Sequence, residues 1–426
     1  MSKISRHLLP DTAEIRNGRL HIGGCDVHDL ARTHGTPVFV YDEQHLRARC
    51  AEAVRAFGVD SVIYATKAFL CLAMARLAHD EGLLLDVATG GEFFVALKAG
   101  VPADRCVMHG NNKSIVELGE AMSAGVRHIV VDSFDELDRI ESLVRDGLPS
   151  PRVQLRITPG VYVHTHEFVS TGQNDSKFGF NLANGDARRA IDRARKSSAM
   201  ELVGIHCHIG SNVFETANFT KAAKVMVEFA NECEVAELTL GGGLGVAYVN
   251  DEHAQSITEW ASALQAACAG LRAGTKVFVE PGRAIVASAA VTLYEVGTIK
   301  QIPGVRTYVA VDGGMSDNPR PVLYGSGYEA FVPTRVDADR TLAVRVVGKH
   351  CESGDVLIAD ALLPADLQVG DIIATPVTGA YGHSMGSNYN KVPRPAVVFV
   401  RDGKSRVVVR RETYDDLVRN DATDSV

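Results

Sequence analysis

The sequence has no long apolar run, no excess of basic residues and no closely spaced pair of cysteines. Its apolar runs fall short of the roughly 20 residues that a membrane-spanning helix needs, so we predict no membrane association. Acidic residues outnumber basic residues by 52 to 44, and the resulting net charge of −8 gives no indication of nucleic-acid binding. No secretory leader pattern is seen at the N-terminus, which fits a protein that stays in the cytoplasm.

The eight cysteines lack C-x-x-C spacing and any other metal-ligand spacing. They stand at positions 25, 50, 71, 106, 207, 233, 268 and 351. Because thiols stay reduced in the cytoplasm, this scattered pattern predicts a cytoplasmic protein with free thiols and no bound metal.

A chain of 426 residues exceeds what one hydrophobic core usually serves, so we expect two domains. From about residue 43, helical periods alternate with short β-rich runs. The predicted strands are Ser61–Ala65, Leu83–Val87, Val107–His109, His128–Val131, Val153–Ile157, Leu202–His206, Glu237–Leu240 and Lys276–Glu280. This α/β pattern favours a (β/α)8 TIM barrel, whose active site lies at the C-terminal strand ends. An open doubly wound sheet is the alternative, and it predicts a ligand crevice where the strand order reverses.

Beyond about residue 285, short β-rich runs separated by turns predict a second, all-β domain of the sandwich or barrel type. These runs are Arg306–Val311, Leu342–Val347, Asp371–Pro376, Ala396–Val400 and Ser405–Arg410. The N-terminal strand Pro37–Tyr41 precedes the barrel pattern and is expected to join this domain. We therefore predict an N-terminal segment over residues 1–42 that contributes to the β domain, a barrel over 43–286 and the C-terminal β domain over 287–426.

One lysine, Lys67, follows the predicted strand that ends at Ala65. Desolvation at the mouth of an apolar strand favours the free amine, which can condense with a carbonyl such as the aldehyde of pyridoxal phosphate. A lysine that simply extends from a strand end into water is the alternative.

Glycine-rich turns and a carboxylate follow later strands. The turns His208–Ser211 and Gly241–Gly245 expose backbone N–H groups that can hold a phosphate, although such turns also simply permit tight geometry. Glu280 ends the eighth predicted strand, where a carboxylate facing a pyridine nitrogen would keep that nitrogen protonated. An ion pair between Glu280 and Arg283 is the alternative.

The predicted β domain carries further polar candidates. Cys351 and Glu352 open a turn, and Tyr381 stands between glycines, where such groups can donate a proton or hold an anion. A buried structural cysteine and a packed tyrosine are the alternatives. Arg320 and Tyr324 can receive a substrate carboxylate through a bidentate fork and a hydroxyl, with a surface salt bridge as the alternative for Arg320.

The order of these segments closely resembles the diaminopimelate decarboxylases, a pyridoxal-phosphate family of fold-type III that shares the alanine racemase barrel. The resemblance runs nearly end to end. It is carried by Tyr64–Lys67, Asp86–Glu92, His109–Lys113, His206–Ser211, Gly241–Gly245, Glu280–Arg283, Cys351–Asp355 and Gly379–Gly382. The stretch from His164 to Gly179 also resembles the family's mobile active-site loop, and its glycines suit a lid.

The resemblance implies pyridoxal 5'-phosphate as the cofactor. Lys67 would bind the cofactor's aldehyde covalently, His208 would stack on the ring, and Glu280 would pair with the ring nitrogen. The other implied cofactor-binding residues, several of them around the phosphate, are Asp86, Ser211, Gly243, Gly282, Arg283 and Tyr381.

The resemblance also implies how the substrate is held. Cys351 would donate the proton to the product. The implied substrate-binding residues are Arg283, Arg320 and Tyr324 for a distal carboxylate, Glu352 for the distal amino group, and Tyr381. In the family, the second domain of one subunit completes the barrel site of its partner. We therefore expect a homodimer with shared active sites, and an inactive monomer.

The implied reaction is decarboxylation of meso-2,6-diaminopimelate at its D-centre to L-lysine and carbon dioxide, the last step of lysine biosynthesis. Three positions depart from the family pattern: Asn212, His383 and Gly386 stand where glutamine, an aromatic ring and serine are usual. A histidine at 383 would either titrate near neutrality or be solvated without a role. Alternatives therefore stay open: a related decarboxylase for another amino acid, an alanine-type racemase, or a catalytically silent relative that binds the cofactor.

Overall fold

The computed structural model describes residues 4–161, 172–173 and 175–422, which divide into two compact units. Unit 1 comprises Met1–Ala48, Ala247–His253 and Ile285–Val426, and unit 2 comprises Arg49–Val246 and Ala254–Ala284. Residues 162–171 and 174 lie outside the described residues, and they include residues 164–171 and 174 of the predicted active-site loop. In the part of the chain that the structure describes, no helix has the length and apolar character needed to cross a membrane.

Unit 2 contains a barrel of eight parallel strands that neighbour one another in chain order. The strands are Ile63–Ala65, Leu84–Val87, Cys106–Met108, His128–Val131, Arg152–Thr158, Glu201–His206, Glu237–Thr239 and Lys276–Phe278. A parallel bridge between Val62 and Val279 joins the first strand to the last, and the short strand Phe180–Asn181 pairs with the fifth. Because the strand order never reverses, the predicted barrel is confirmed and the doubly wound sheet is wrong.

Helices precede, connect and follow the barrel strands, and parallel pairing requires such crossover connections. They are Glu43–Phe57, Leu72–Asp80, Gly90–Lys98, Ile115–Ala124, Phe134–Arg145, Asp186–Lys196, Thr216–Glu232, Ile257–Ala267 and Arg283–Val286. Two of them begin with capping boxes, in which Ser114 pairs with Glu117 and Ser256 with Glu259. These reciprocal bonds satisfy backbone donors that the first helical turn leaves without partners.

The strands of unit 2 bury both an apolar cluster and a polar network. The apolar cluster consists of Ile63, Leu84, Val107, Val130 and Phe278. In the polar network, Glu237 accepts a hydrogen bond from Gln154 Nε2 at 3.0 Å and lies 3.0 Å from His128 Nε2. Burial opposes the ionised form, but the close contact with His128 lowers the pKa of Glu237 to about 2. His128 and Glu237 each begin a strand, so this paired network stabilises the N-terminal end of the barrel.

Unit 1 consists mainly of β-strands. The strands of its main sheet are, in spatial order, Val356–Pro364, Arg340–Val347, Arg306–Val311, Ala290–Ile302, Val38–Asp42, Ala396–Arg401 and Lys404–Val409, with Ile372–Pro376 also paired to Ala290–Ile302. A separate antiparallel sheet contains Glu14–Arg16, Arg19–Ile22 and Cys25–Asp26. The helices are Val27–His34, Arg320–Tyr324 and Tyr414–Val418. The predicted β domain is therefore confirmed, with short helices added to it.

Val38–Asp42, the strand predicted from the N-terminal segment, lies inside the main sheet of unit 1. It pairs antiparallel with Ala290–Ile302 and parallel with Ala396–Arg401, and all five of its residues are buried. A strand covered on both faces is expected to be continuously apolar, which matches Val38 to Tyr41.

Candidate active site

The predicted cofactor residues of unit 2 lie in or just beyond the C-terminal ends of barrel strands. They are Lys67 after the first strand, Asp86 in the second, His208 and Ser211 after the sixth, Gly243 after the seventh, and Glu280, Gly282 and Arg283 after the eighth. Parallel strands bring these ends to one rim of the barrel, where TIM-barrel active sites are found.

Lys67 lies in a single turn of 3-10 helix, Thr66–Ala68, directly after the first strand, and its side chain is exposed. The buried environment expected from the sequence is therefore wrong for the Lys67 side chain, although its neighbours Thr66 and Ala68 are buried. Glu92 lies close enough to be influenced by the Lys67 charge, and its Oε2 accepts a hydrogen bond from the Ala88 N–H at 2.6 Å. Burial raises the pKa of Glu92, and Lys67 acts against that rise. The charge of the Lys67 amine therefore acts on a carboxyl group near the mouth of the barrel.

Glu280 is buried between two histidines. Its Oε2 forms a 2.9 Å hydrogen bond with His206 Nε2, and its Oε1 lies 3.1 Å from His109 Nε2. Burial disfavours the charge, but the two histidines outweigh it and hold the pKa of Glu280 well below its usual value. Asp86 Oδ1 lies 3.8 Å from His109 Nε2, which places this histidine between two carboxylates. Glu280 is therefore an ionised, buried group just beyond the C-terminal end of the eighth strand.

Arg283 does not pair with Glu280, so that alternative is wrong within the described residues. The buried Arg283 side chain instead donates a hydrogen bond from its terminal nitrogen to Ser211 Oγ at 2.8 Å. The next residue, Asn212, has a φ of 59°, a left-handed conformation that asparagine adopts more readily than most residues. Its Oδ1 accepts a hydrogen bond from Val246 N–H at 3.4 Å, so local backbone geometry accounts for this departure from the family pattern.

His208 is half-buried and accepts a hydrogen bond at Nδ1 from the Gly242 N–H at 3.2 Å. Burial, and then the Lys67 charge, lower the pKa of His208 well below its usual value, so the ring is neutral near pH 7. A neutral, flat ring suits stacking on an aromatic group.

The glycine turn after the seventh strand packs against neighbouring backbone. An added Cβ at Gly242 would lie 1.9 Å from the Glu280 carbonyl oxygen, and one at Gly243 would lie 2.1 Å from that of Gly210. Close packing therefore requires glycine at both positions, which agrees with the alternative explanation that these turns simply permit tight geometry. Their backbone N–H groups remain candidates for a phosphate site.

In unit 1, Cys351 and Glu352 are exposed on a turn between two strands. Asp355 anchors the turn by accepting a hydrogen bond from His350 N–H at 2.9 Å, and Asn390 Oδ1 accepts one from Cys351 N–H at 3.0 Å. A buried structural role for Cys351 is therefore wrong. A thiol and a carboxylate are presented side by side on a supported turn.

Arg320 is buried, and no carboxylate pairs with it among the residues that the structure describes. One terminal nitrogen donates a hydrogen bond to Tyr328 Oη at 2.5 Å, and the guanidinium lies 4.0 Å from the centre of the Tyr248 ring. Its Nε is buried without a hydrogen-bond partner. A surface salt bridge is thus excluded for Arg320, and Tyr324 lies half-buried at the other end of the same helix.

Tyr381 and His383 lie in a constrained turn of unit 1. Tyr381 is half-buried with a φ of 59°, and such strained backbone in a non-glycine residue concentrates at functional sites. His383 is buried with its ring edge-on to Phe39 at 5.8 Å, and burial lowers the pKa of His383 to about 3. Both expectations for His383, titration near neutrality and solvation, are therefore wrong. At Gly386, an added Cβ would lie 3.1 Å from the carbonyl oxygens of His383 and Ser316.

His109 and His206 stand in the family-like segments, but sequence reasoning assigned them no role. The alternation of side chains along a strand could have pointed to His206. His206 and His208 lie two residues apart and therefore share one face of the sixth strand and its extension. The contact of His206 with Glu280, which is 74 residues away, gave no local signal.

The chain is similar to known proteins over nearly its whole length. Residues 43–287 match the family model described as pyridoxal-dependent decarboxylase, pyridoxal binding domain. The chain is 46% identical to the diaminopimelate decarboxylase of Bacillus subtilis over 421 residues, which cover 95% of this chain and 96% of that protein. It is 44% identical to that of Mycobacterium tuberculosis over 438 residues, covering 97% and 98%. The crystal structure of diaminopimelate decarboxylase from M. jannaschii superposes with a TM-score of 0.91 at 33% identity, covering 97% and 98%, and that protein has also been solved with L-lysine.

Proposed function

Because the chain belongs to the diaminopimelate decarboxylases, within the pyridoxal-dependent decarboxylase family, we propose that it decarboxylates meso-2,6-diaminopimelate at its D-centre to L-lysine and carbon dioxide. This reaction is the last step of lysine biosynthesis. The observation that carries the proposal is the placement of Lys67, His208 and Glu280 at one rim of one barrel. We also propose functional domains over residues 1–42, 43–286 and 287–426, the second of which agrees with the family match over residues 43–287. The cytoplasm is the proposed location of the protein.

The residues at the rim fit pyridoxal phosphate. Glu280 Oε1 is buried without an aligned hydrogen bond, so an ionised oxygen is available to a protonated ring nitrogen. The neutral His208 suits the ring face, and the exposed amine of Lys67 suits covalent attachment. We assign the phosphate to Ser211, Gly243, Gly282, Arg283 and Tyr381, and a supporting position to Asp86. When bound, the cofactor supplies an electron sink for the electrons released as the carboxylate leaves.

We assign the distal carboxylate of the substrate to Arg320, with Arg283 and Tyr324. A buried guanidinium without an anion is costly, and a substrate carboxylate would compensate its charge. Tyr328 and Tyr248 hold the guanidinium in place and leave Nε for such a ligand. The need for a distal carboxylate beside Arg320 favours a substrate with two carboxylates over ornithine or lysine, each of which has only one. We assign the distal amino group to Glu352.

We further propose that Cys351 donates the proton that replaces carbon dioxide, from the second domain of a partner copy in a homodimer. The exposure of Cys351 supports this role, because the thiol can reach a group outside its own unit. Apolar side chains are also exposed on three consecutive helices of unit 2: Leu72, Phe94, Ile115 and Val116. Exposed apolar side chains on neighbouring helices are typical of interfaces between subunits. Cys351, Glu352 and Tyr381 would then complete the partner's site.

The decisive experiment incubates the purified protein with pyridoxal phosphate and meso-diaminopimelate, and measures carbon dioxide and the chirality of the product. Release of carbon dioxide with L-lysine as the sole product is expected. The isomer L,L-diaminopimelate, D-lysine and L-ornithine serve as comparison substrates. Preferred turnover of one of these would move the function to a related decarboxylase, and racemisation without carbon dioxide would indicate a racemase. A cofactor absorbance band without turnover would indicate a silent relative.

The role of Lys67 has a separate test. Borohydride reduction of the loaded protein followed by peptide mass spectrometry is expected to place the cofactor on Lys67. The Lys67→Ala variant should lose this label, and Lys98→Ala, which removes another exposed lysine of unit 2, should keep it. A label that persists in Lys67→Ala would contradict the assignment.

A further inference from the structure

We propose that His206 and His109 are positioning residues for Glu280, with His206 fixing the carboxylate through Oε2 so that Oε1 faces the ring nitrogen of the cofactor. His109 supplies charge beside Oε1 without taking up its hydrogen bond. This inference rests on the cofactor assignment made under Proposed function, and it does not depend on which amino acid is decarboxylated.

The three side chains come from different parts of the barrel and meet in its interior. His109 follows the third strand, His206 ends the sixth and Glu280 follows the eighth. Their exposed fractions are 6%, 1% and 5%, so water does not compete for these contacts. The two imidazole rings also contact each other edge to face, with centroids 5.1 Å apart and planes at 65°. Each ring therefore restricts the other, and together they restrict the carboxylate.

The two histidines act on different oxygens in different ways. The 2.9 Å contact from His206 Nε2 to Oε2 is a hydrogen bond with suitable geometry, whereas the 3.1 Å contact from His109 Nε2 to Oε1 is not aligned as one. Burial disfavours a charged His109, but Asp86 and Glu280 outweigh it and raise the pKa of His109. Burial lowers the pKa of His206. These opposite shifts suit His206 to the role of hydrogen-bond donor and His109 to the role of the charged neighbour.

This division of roles predicts what each histidine contributes. A terminal carboxylate turns easily about its last bond, and a donor fixed on Oε2 removes that freedom before the cofactor binds. Without His206, Oε2 would be buried without a donor, and the carboxylate would turn or take up a proton. A protonated Glu280 cannot keep the ring nitrogen protonated. Without His109, the carboxylate would keep its orientation but lose a stabilising charge.

The test compares leucine and glutamine at each histidine. His206→Leu should weaken pyridoxal-phosphate binding about tenfold or more and change the pH dependence of the bound cofactor's absorbance band. His206→Gln should restore most of the affinity, because its amide can donate from nearly the same place as Nε2. His109→Leu should weaken binding in the same direction, and His109→Gln should not restore it, because glutamine carries no charge.

The matched control is His128→Leu, which removes a buried histidine 3.0 Å from Glu237 at the N-terminal end of the same barrel. It should lower thermal stability but leave cofactor affinity and the absorbance band unchanged. A folded His206→Leu variant with wild-type affinity and band would overturn the inference, as would an equal loss of affinity in His128→Leu. A wild-type protein that binds the cofactor but releases no carbon dioxide would overturn the proposed reaction instead.

Discussion

Replacing Lys113 with methionine would remove the central cation of a buried network in the barrel. Lys113 Nζ donates hydrogen bonds to the carbonyl oxygens of Gly110 and Val130, both at 2.7 Å, and to Glu136 Oε1 at 2.6 Å. The side chains of Lys113 and Glu136 are 1% and 2% exposed. All three donors of the ammonium group are therefore used, and the carboxylate of Glu136 is shielded from water.

We expect Lys113→Met to lower the free energy of unfolding by about 3–5 kcal/mol, because it leaves the Glu136 carboxylate buried without its cation. The lost hydrogen bond to Glu136 alone accounts for about 1.5–3 kcal/mol of this. Adding Glu136→Gln should recover about 1–3 kcal/mol, since a neutral amide removes the uncompensated charge. The amide can still accept the bond that Asp132 N–H donates to Glu136 Oε2 at 2.9 Å.

The loss should also depend on pH. Burial raises the pKa of Glu136 in the native protein, and the Lys113 charge acts against that rise. In Lys113→Met this opposition is gone, so the folded-state pKa of Glu136 should rise further above the unfolded value of about 4.3. A carboxyl group with a raised folded-state pKa stabilises the fold below the unfolded value and loses that contribution as pH rises. The variant's deficit should therefore be smaller at pH 5 than at pH 8.

The measurement is urea unfolding followed by the fluorescence of Trp260. This is the only tryptophan of the sequence, it is fully buried, and it belongs to the same unit as Lys113. Lys98→Met removes an exposed lysine and should change stability by no more than about 0.5 kcal/mol. A loss below about 1 kcal/mol in Lys113→Met, or no recovery with Glu136→Gln, would refute this reasoning.

Four further outcomes are expected. Cys351→Ala should keep cofactor binding but lose most turnover, and undiminished turnover would rule out Cys351 as proton donor. Arg320→Met should raise the KM for meso-diaminopimelate about 10- to 100-fold while the cofactor absorbance stays unchanged. An unchanged KM would exclude Arg320 from binding the substrate carboxylate. Gly242→Ala should disrupt the strand ends around it and lower the melting temperature, because the added Cβ would lie 1.9 Å from the Glu280 carbonyl oxygen. Gly270→Ala adds its Cβ to open space and should leave the melting temperature unchanged. His383→Phe should leave the pH profile of kcat/KM unchanged between about pH 6 and 9, because the pKa of His383 is about 3; a shifted profile would contradict its neutral state.

Much of the fold could be predicted because its signals are local. The alternation of helical periods with short apolar runs indicates βα units, and their number indicates a barrel. The same local signals placed Lys67 just after the first strand, as in the structure, and Glu280 at the end of the eighth strand, which in the structure already ends at Phe278. Other rim residues, such as Asp86 and Gly282, were implied only by the resemblance to the family, and the contacts within the rim were not available from the sequence.

The contacts required the tertiary structure. The carboxylate of Glu280 bonds to His206, 74 positions away, and not to Arg283, three positions away. Barrel closure decides that partner, and no local pattern encodes closure. Burial of Arg320 and His383, and exposure of Lys67 and Cys351, were likewise decided by packing of segments distant in sequence. Local sequence patterns are therefore sufficient to set the helices, the strands and the chemical groups that they carry. Packing of distant segments sets which groups share a low-dielectric interior, and therefore which are charged, neutral or available to a ligand.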